Sequence, residues 1–282
     1  MHPDALILGA PNGPFGLRIE PFGGFLAVGL ALGVLLARRL AQRSGFFLGE
    51  GLAALGAALL GSLIGARVVH WAFGAESGWR ALLALGSGGL SGYGALFGAA
   101  LGAALALRSS PARAGWFDVG ACGALLGISM GRLGCYLAGS DFGRAISGPV
   151  PKWLARLSSF PHPRGAEVSE VWFAQTLKGA VNSGSLRTPA LHPTALYEAA
   201  GALVVLAALL ASRTRQRAAG QSALVATVAL AVLRFAVDGF RGGVESDRFA
   251  ASSLDRAAAV LSVLAACAVL AWRKVHRSSS AE

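Results

Sequence analysis

The chain has 282 residues, of which 54% are hydrophobic and only 14% are charged. This composition is too apolar for an ordinary soluble domain and is typical of a protein with several membrane-spanning helices. The formal net charge of +11 would suit a nucleic-acid binder. However, the basic residues follow apolar runs instead of forming one basic face, so no nucleic-acid partner is expected.

Seven apolar runs are each about as long as the ~20 residues that a spanning helix needs. They lie at 22–38, 51–73, 88–107, 116–138, 191–212, 221–240 and 254–272. The sequence therefore predicts an all-α polytopic membrane protein that forms a single integral membrane domain over residues 1–282. The first 21 residues lack a basic region and an A-x-A cleavage site, so we expect no removable signal peptide.

The basic residues predict which side of the membrane each loop faces. They follow the first, third, fifth and seventh runs, as Arg38, Arg39 and Arg43, then Arg108 and Arg113, then Arg213, Arg215 and Arg217, then Arg273, Lys274 and Arg277. The positive-inside rule makes these loops cytoplasmic. We therefore expect the N-terminus outside and the C-terminus in the cytoplasm. Residues 139–190, between helices four and five, form a small periplasmic head in this topology.

Glycine recurs inside the predicted spans at a spacing that favours close helix packing. The chain has 39 glycines, and pairs such as Gly61 with Gly65 and Gly98 with Gly102 stand four residues apart. Small residues at this spacing let two membrane helices approach closely. We expect most of these glycines to serve packing.

Under the predicted topology, the polar residues inside the runs all fall in the outer half of the membrane. They are Arg67, Tyr93, Arg132, His192, Tyr197, Glu198, Arg234 and Asp238. An arginine at a helix centre costs about 2.5 to 3.5 kcal/mol on insertion scales, and pairing or a water-filled cavity offsets that cost. Guanidinium groups bind phosphate oxygens bidentately. We therefore expect an outward-open cavity that binds the phosphate of a membrane lipid headgroup.

Some of these side chains also have a purely structural interpretation. Arg234, Asp238 and Arg241 stand at i, i+4 and i+7, so they share one helix face, and the first two can form an ion pair. Glu198 and Asp141 are acids that could pair with the arginines, and Glu198 in particular is expected to pair with one. Pro193 suits the first position of a helix, which makes His192 a candidate helix cap instead of a proton acceptor.

Three segments carry a family resemblance. They are GRLGCYLAGSDFGR (131–144), LHPTALYEA (191–199) and LRFAVDGFRGG (233–243). In that order they resemble motifs of the phosphatidylglycerol:prolipoprotein diacylglyceryl transferases, multi-pass proteins of the bacterial inner membrane. The resemblance implies transfer of the diacylglyceryl group from phosphatidylglycerol to the lipobox cysteine thiol of a preprolipoprotein, with release of glycerol phosphate. It implies no metal or organic cofactor.

The resemblance also assigns roles to individual residues. It implies that Arg132 and Arg234 bind the headgroup and take part in catalysis, and it places Gly143 in the family signature. Asp238 stands where the family usually has a glutamate. The other side chains that we expect to bind substrate are Arg67, Arg144, Tyr197, Glu198 and Arg241.

This chain departs from the family pattern at several polar positions. Tyr93 stands where many members have a histidine proposed as the base, Cys135 replaces an asparagine, and Ser140 replaces an acidic residue. The resemblance therefore leaves Tyr93 or His192 as the proton acceptor. The alternative is a catalytically inactive or altered-acceptor homologue that binds anionic phospholipid. A transporter is disfavoured because the polar residues lie on one side of the membrane.

Overall fold

The computed structural model describes residues 6–8, 17–19, 21–73, 91–162, 169–182, 184–212 and 218–241. The predicted seventh span at 254–272 and the basic clusters at 213–217 and 273–277 lie outside the described residues. Those that are described form two compact units. The first takes the residues described within Met1–Leu35, Ala121–Arg217 and Ser222–Glu282, and the second those within Leu36–Gly120 and Ala218–Gln221.

Helices dominate both units. In chain order the elements are β1 (Leu6–Leu8), β2 (Leu17–Ile19), α1 (Pro21–Arg43), α2 (Leu48–Phe73), α3 (Gly92–Ala106), α4 (Arg113–Ala138), α5 (Lys152–Ser158), α6 (Glu170–Leu177), α7 (Thr194–Ala211) and α8 (Gln221–Asp238). The two strands pair antiparallel, with Leu6 opposite Ile19. The all-α prediction does not include this hairpin, which is too short to show as a strand pattern in the sequence.

Within the described part of the chain, five helices are long and apolar enough to cross a membrane. They are Phe22–Arg43, Leu48–Ala72, Arg113–Ala138, Thr194–Ala211 and Gln221–Asp238. They correspond to the predicted runs one, two, four, five and six, so a multi-pass membrane protein is confirmed. The count of seven spans and the orientation across the membrane stay predictions.

The third predicted run forms a shorter helix than expected. Helix α3 has 15 residues and begins at Gly92. Its start is capped by Ser91, whose hydroxyl accepts a hydrogen bond from the Gly94 N–H at 3.2 Å. This cap places the helix start after residue 88, where the apolar run begins.

In the second unit, α2 and α3 pack backbone against backbone. A Cβ on Gly98 would overlap the carbonyl oxygen of Gly61, and a Cβ on Gly65 would overlap that of Gly94. The four-residue spacing of these glycines therefore allows the close approach that the sequence predicts, which confirms that prediction.

In the first unit, α1 and α4 also approach through glycines. A Cβ on Gly33 would lie 2.5 Å from the Gly123 carbonyl oxygen, and one on Gly29 would lie 2.7 Å from the Met130 Cβ. Beyond α4, the described residues of segment 139–190 carry α5 and α6. Together with residues at the end of α4 and around the start of α7, they form an apolar cluster made of Tyr136, Phe142, Phe160, Val171, Trp172, Val181 and Leu191, among others. The segment is thus a folded insertion, and its location on the periplasmic side stays a prediction.

Substituting Gly98 with alanine should weaken the packing of α2 on α3. The added methyl has no space beside Gly61, so we expect the free energy of unfolding to fall by roughly 1 to 3 kcal/mol. The matched control is Gly56→Ala on α2, since nothing lies within 4 Å of a Cβ there. Thermal unfolding in detergent micelles measures both variants. Equal melting temperatures would show that this backbone contact does not stabilise the protein.

Candidate functional site

The candidate site centres on the carboxylate of Glu198, on the second turn of α7. Its side chain is only 7% exposed. One oxygen, Oε2, lies 2.6 Å from Arg132 Nε. The other, Oε1, lies 2.7 Å from Arg234 Nη1 and 3.1 Å from Arg241 Nη2. Three guanidinium groups from three separate segments therefore meet at one buried carboxylate.

Asp141 supplies a second carboxylate to the same group of arginines. Its side chain forms an ion pair with Arg132, and its Oδ1 lies 3.3 Å from Arg241 Nη2. Asp141 has a φ of 55°, in the left-handed region that few residues other than glycine, asparagine and aspartate adopt. The hydroxyl of buried Thr194 donates a hydrogen bond to the Asp141 carbonyl oxygen at 2.5 Å, which helps to hold this backbone conformation.

Asp141 is ionised at neutral pH because of its neighbours. Burial by itself raises the pKa of the Asp141 carboxyl. The positive charges of Arg132, Arg241 and Arg234 outweigh burial and hold the pKa below its usual range. Asp141 was not among the predicted substrate-binding residues, but the sequence offered it as a possible acidic partner of the arginines, and its ion pairs with Arg132 and Arg241 confirm that pairing.

Gly143 is the joint between three segments: the one that follows α4, the one that leads into α7 and the turn after α8. Its N–H donates to the His192 carbonyl oxygen at 2.7 Å, and the next N–H, from Arg144, donates to the Phe240 carbonyl oxygen at 2.9 Å. Gly143 also forms an isolated antiparallel bridge with Arg241. A Cβ on Gly143 would overlap the Phe240 carbonyl oxygen and lie 2.6 Å from the His192 Cβ. Only glycine therefore lets these backbones come together.

The arginine–carboxylate cluster, defined as Arg132, Arg234, Arg241, Asp141 and Glu198, has an excess of positive charge. Three guanidinium groups face two carboxylates, so the difference is one positive charge. The side chains of the arginines are between 15% and 27% exposed, more than that of Glu198. The Nε of Arg241 is buried and has no hydrogen-bond partner among the described residues. The cluster can therefore donate to an added anion.

His192, on the segment that leads into α7, and Tyr197, in the first turn of α7, lie beside this cluster. The Nδ1 of His192 is 3.2 Å from the Tyr197 hydroxyl, and the His192 and Phe240 rings lie 4.9 Å apart. Burial lowers the pKa of His192, and the positive charge of Arg144 lowers it further. The imidazole is therefore neutral at pH 7 and able to accept a proton.

The interpretation of His192 as a helix cap is wrong. Helix α7 begins at Thr194, Pro193 occupies the cap position itself, and no side chain makes a cap hydrogen bond there. The His192 ring contacts Tyr197 instead.

The prediction that Arg234, Asp238 and Arg241 share one helix face is wrong for Arg241. Helix α8 ends at Asp238. The N–H groups of Phe240 and Arg241 bond to carbonyl oxygens three residues back, on Val237 and Asp238, so the chain turns there. This turn directs Arg241 to Glu198, which also binds Arg234, and the predicted pairing of Glu198 with arginine is confirmed. Asp238 is half-buried, and its pairing with Arg234 stays a prediction.

Two predicted site residues belong to the second unit. Arg67 is buried on α2, with 3% exposure, and Tyr93 is the second residue of α3. The Ser91 N–H bonds to the carbonyl oxygen of Ala66 at 3.0 Å, which holds the start of α3 beside this part of α2. The predicted roles of Arg67 and Tyr93 at the same site as Arg132 stay predictions.

Comparisons with known proteins agree with the resemblance carried by the three motifs. The family model described as prolipoprotein diacylglyceryl transferase matches residues 13–272. The chain is also similar to the phosphatidylglycerol–prolipoprotein diacylglyceryl transferase of Treponema pallidum (strain Nichols). The two are 29% identical over 211 residues, which make up 65% of this chain and 60% of that relative. The chain thus matches about three fifths of the length of this relative.

Substituting Gly143 with alanine should open the joint between the three segments. We expect the free energy of unfolding to fall by roughly 1 to 3 kcal/mol, because the added methyl meets backbone atoms that cannot give way easily. Amide hydrogen exchange should become faster at Arg144 and His192, whose N–H groups bond across the joint.

The matched control is Gly239→Ala, in the turn after α8, where the nearest atom to a Cβ is the Ala236 carbonyl oxygen at 3.6 Å. Thermal unfolding and hydrogen exchange compare the two variants. If Gly143→Ala were as stable and as well protected as Gly239→Ala, the joint would not be what brings the arginines together.

Proposed function

Since the chain belongs to the prolipoprotein diacylglyceryl transferase family, we propose that it transfers the diacylglyceryl group of phosphatidylglycerol to the lipobox cysteine thiol of preprolipoproteins. The cell membrane in which it acts is, in this proposal, the bacterial inner membrane. The observation that carries the proposal is the arginine–carboxylate cluster at the ends of α4, α7 and α8, which suits the phosphate of an anionic lipid.

The charge of the cluster matches that of the substrate. The phosphodiester of phosphatidylglycerol carries one negative charge, and the cluster exceeds neutrality by one positive charge. Glu198 and Asp141 hold the guanidinium groups in position before the lipid arrives, so little ordering is left to be done on binding. The Asp141 side chain is 26% exposed against 7% for Glu198. Asp141 is therefore the carboxylate that shares its arginines with the phosphate.

The reaction needs two changes at the bound lipid. The cysteine sulfur forms a bond to the terminal glycerol carbon of the diacylglyceryl group, and the bond from that carbon to the phosphate oxygen breaks. The electron pair of the broken bond stays on that oxygen, so negative charge grows on the glycerol phosphate as it leaves. Arginines already fixed around the phosphate stabilise this charge. We assign this role to Arg132 and Arg234, with Arg241 beside them.

The thiol must also lose its proton, since the thiolate is the nucleophile. We assign the role of proton acceptor to His192. Its imidazole is neutral at pH 7 and can accept a proton directly. A phenol with the ordinary pKa of ~10 must first lose its own proton before it can act as a base. Its backbone is also joined to the cluster through Gly143.

Asp141 bears on the alternative of an inactive homologue. That alternative draws on the departures from the family pattern at Tyr93, Cys135 and Ser140. In the structure, Asp141 supplies a carboxylate to Arg132 one residue after Ser140. An acidic side chain that pairs with Arg132 is therefore present in this segment, and this favours an active transferase.

The Arg132→Lys variant tests the role of the guanidinium group. Lysine keeps the charge but cannot bind phosphate and Glu198 through a planar fork, so we expect transfer to fall by about 100-fold. The assay uses purified protein, phosphatidylglycerol with a labelled diacylglyceryl group, and lipobox peptides carrying cysteine or serine. Arg113→Lys, at the opposite end of α4, is the matched control.

Label moving to the cysteine peptide alone, with Arg113→Lys active and Arg132→Lys impaired, supports the proposal. An Arg132→Lys variant as active as the control would contradict the role of the guanidinium fork. No transfer to the cysteine peptide by the unmodified protein, despite bound phosphatidylglycerol, would favour the inactive homologue.

The pH dependence of transfer tests His192. As the proton acceptor it must be unprotonated, so kcat/KM should rise with pH and level off once the pH passes its pKa, which lies below the ordinary 6.5. The His192→Gln variant should lose this rise and be slower at pH 7, whereas Tyr93→Phe should keep it. If kcat/KM of His192→Gln rose with pH in the same way as that of the unmodified protein, another group would be the base.

A further inference from the structure

Helix α5, in the insertion between α4 and α7, exposes a face that combines apolar and basic side chains. Lys152, Trp153, Arg156 and Leu157 stand at i, i+1, i+4 and i+5, which places them on one side of the helix. All four are exposed, with Trp153 at 66% and Leu157 at 40%. The other side of the helix is partly or fully buried, most completely at Ser158.

Hydrogen bonds hold this helix at the ends of two spanning helices. The hydroxyl of Tyr136, two residues before α4 ends, donates to the Leu157 carbonyl oxygen at 2.7 Å. The N–H of Leu191, three residues before α7 begins, donates to the Ser158 carbonyl oxygen at 2.8 Å. A helix of seven residues is only about 10 Å long. All of α5 therefore lies within about 10 Å of the level where α4 ends and α7 begins.

That level corresponds to the headgroup region of a bilayer. The polar layers add about 5 to 8 Å on each side of the hydrocarbon core. Tryptophan is enriched there because its ring is apolar and its N–H is polar. Lysine and arginine near a membrane surface attract anionic headgroups. The exposed face of α5 has this chemistry, and a water-facing surface would leave Trp153 and Leu157 without apolar contacts.

We propose that α5 lies on the membrane surface and that its exposed face binds anionic phospholipid headgroups. Trp153 and Leu157 enter the interface, while Lys152 and Arg156 contact the phosphates around them. The helix is thus an interfacial anchor for the insertion. The inference depends on the membrane spans and not on the transfer reaction, so either can fail without the other.

The experiment uses the full chain labelled with 5-fluorotryptophan, in nanodiscs that contain phosphatidylglycerol and phosphatidylcholine. Fluorine NMR records the tryptophan signals, and Trp153→Phe identifies the signal of position 153. A phosphatidylcholine with a nitroxide near its headgroup reports contact with lipid, and a water-soluble gadolinium chelate reports contact with solvent. Buried Trp172, identified by Trp172→Phe, is the internal control for a site away from both probes.

We expect the Trp153 signal to be lost with the nitroxide lipid and kept with the gadolinium chelate. Loss with the chelate and persistence with the nitroxide lipid would overturn the proposal, because the face would then be open to water or to a protein partner. A signal that persists with both probes would also overturn it, because the face would then be covered by protein.

The headgroup contact is tested by Lys152→Gln combined with Arg156→Gln. Without the two positive charges, the nitroxide effect on Trp153 should weaken when the spin label is carried by phosphatidylglycerol. Lys178→Gln, an exposed basic residue just after α6, is the matched control and should leave the effect unchanged. An undiminished effect in the double variant would show that anionic headgroups are not bound by this face.

Discussion

The first compact unit depends on one buried carboxylate that three arginines share. A charge as buried as Glu198 is very unfavourable unless partners surround it, and an unpaired guanidinium near it would be equally unfavourable. Arg132, Arg234 and Arg241 come from α4, α8 and the turn after α8, so their segments must all reach α7. The close approach at Gly143 follows from this requirement, since the side chains can meet only where the backbones are nearly in contact.

The sharing of Glu198 by three arginines also accounts for the substrate binding that we propose for this ion cluster. If the carboxylates equalled the arginines in number, the cluster would be neutral and would have no reason to attract an anion. With one fewer carboxylate among the five side chains of the cluster, the arginines are ordered, and the Nε of Arg241 has no hydrogen-bond partner among the described residues. Burial on one side, through Glu198, gives the rigidity, and partial exposure on the other, through Asp141 and Arg132, gives the access. In the proposed function, stability and binding thus use different sides of the same guanidinium groups.

The features that depend on local chemistry could be predicted from the sequence. Apolar length located five spanning helices, the cost of burying arginine pointed to Arg132 and Arg234, and glycine spacing indicated the packing of α2 on α3. The features that depend on where a helix ends could not. Arg241 was placed on α8 because its spacing fits a helix, but the chain turns at Gly239 and Phe240. Asp141 could be named as a possible acidic partner, but its position between Arg132 and Arg241 depends on a left-handed backbone conformation that sequence spacing does not reveal.

Hydrogen bonds link the interfacial helix α5 to the segments that carry the cluster. Through these bonds the membrane surface is linked to the site. Tyr136, which binds the last turn of α5, lies one helical turn after Arg132 on α4. Leu191, which binds Ser158, directly precedes His192. A helix seated among headgroups therefore sets the depth of the cluster relative to the lipid phosphates. Because Coulomb attraction and hydrogen bonding both fall steeply with distance, holding the guanidinium groups at the level of the phosphates is itself part of recognising a lipid substrate.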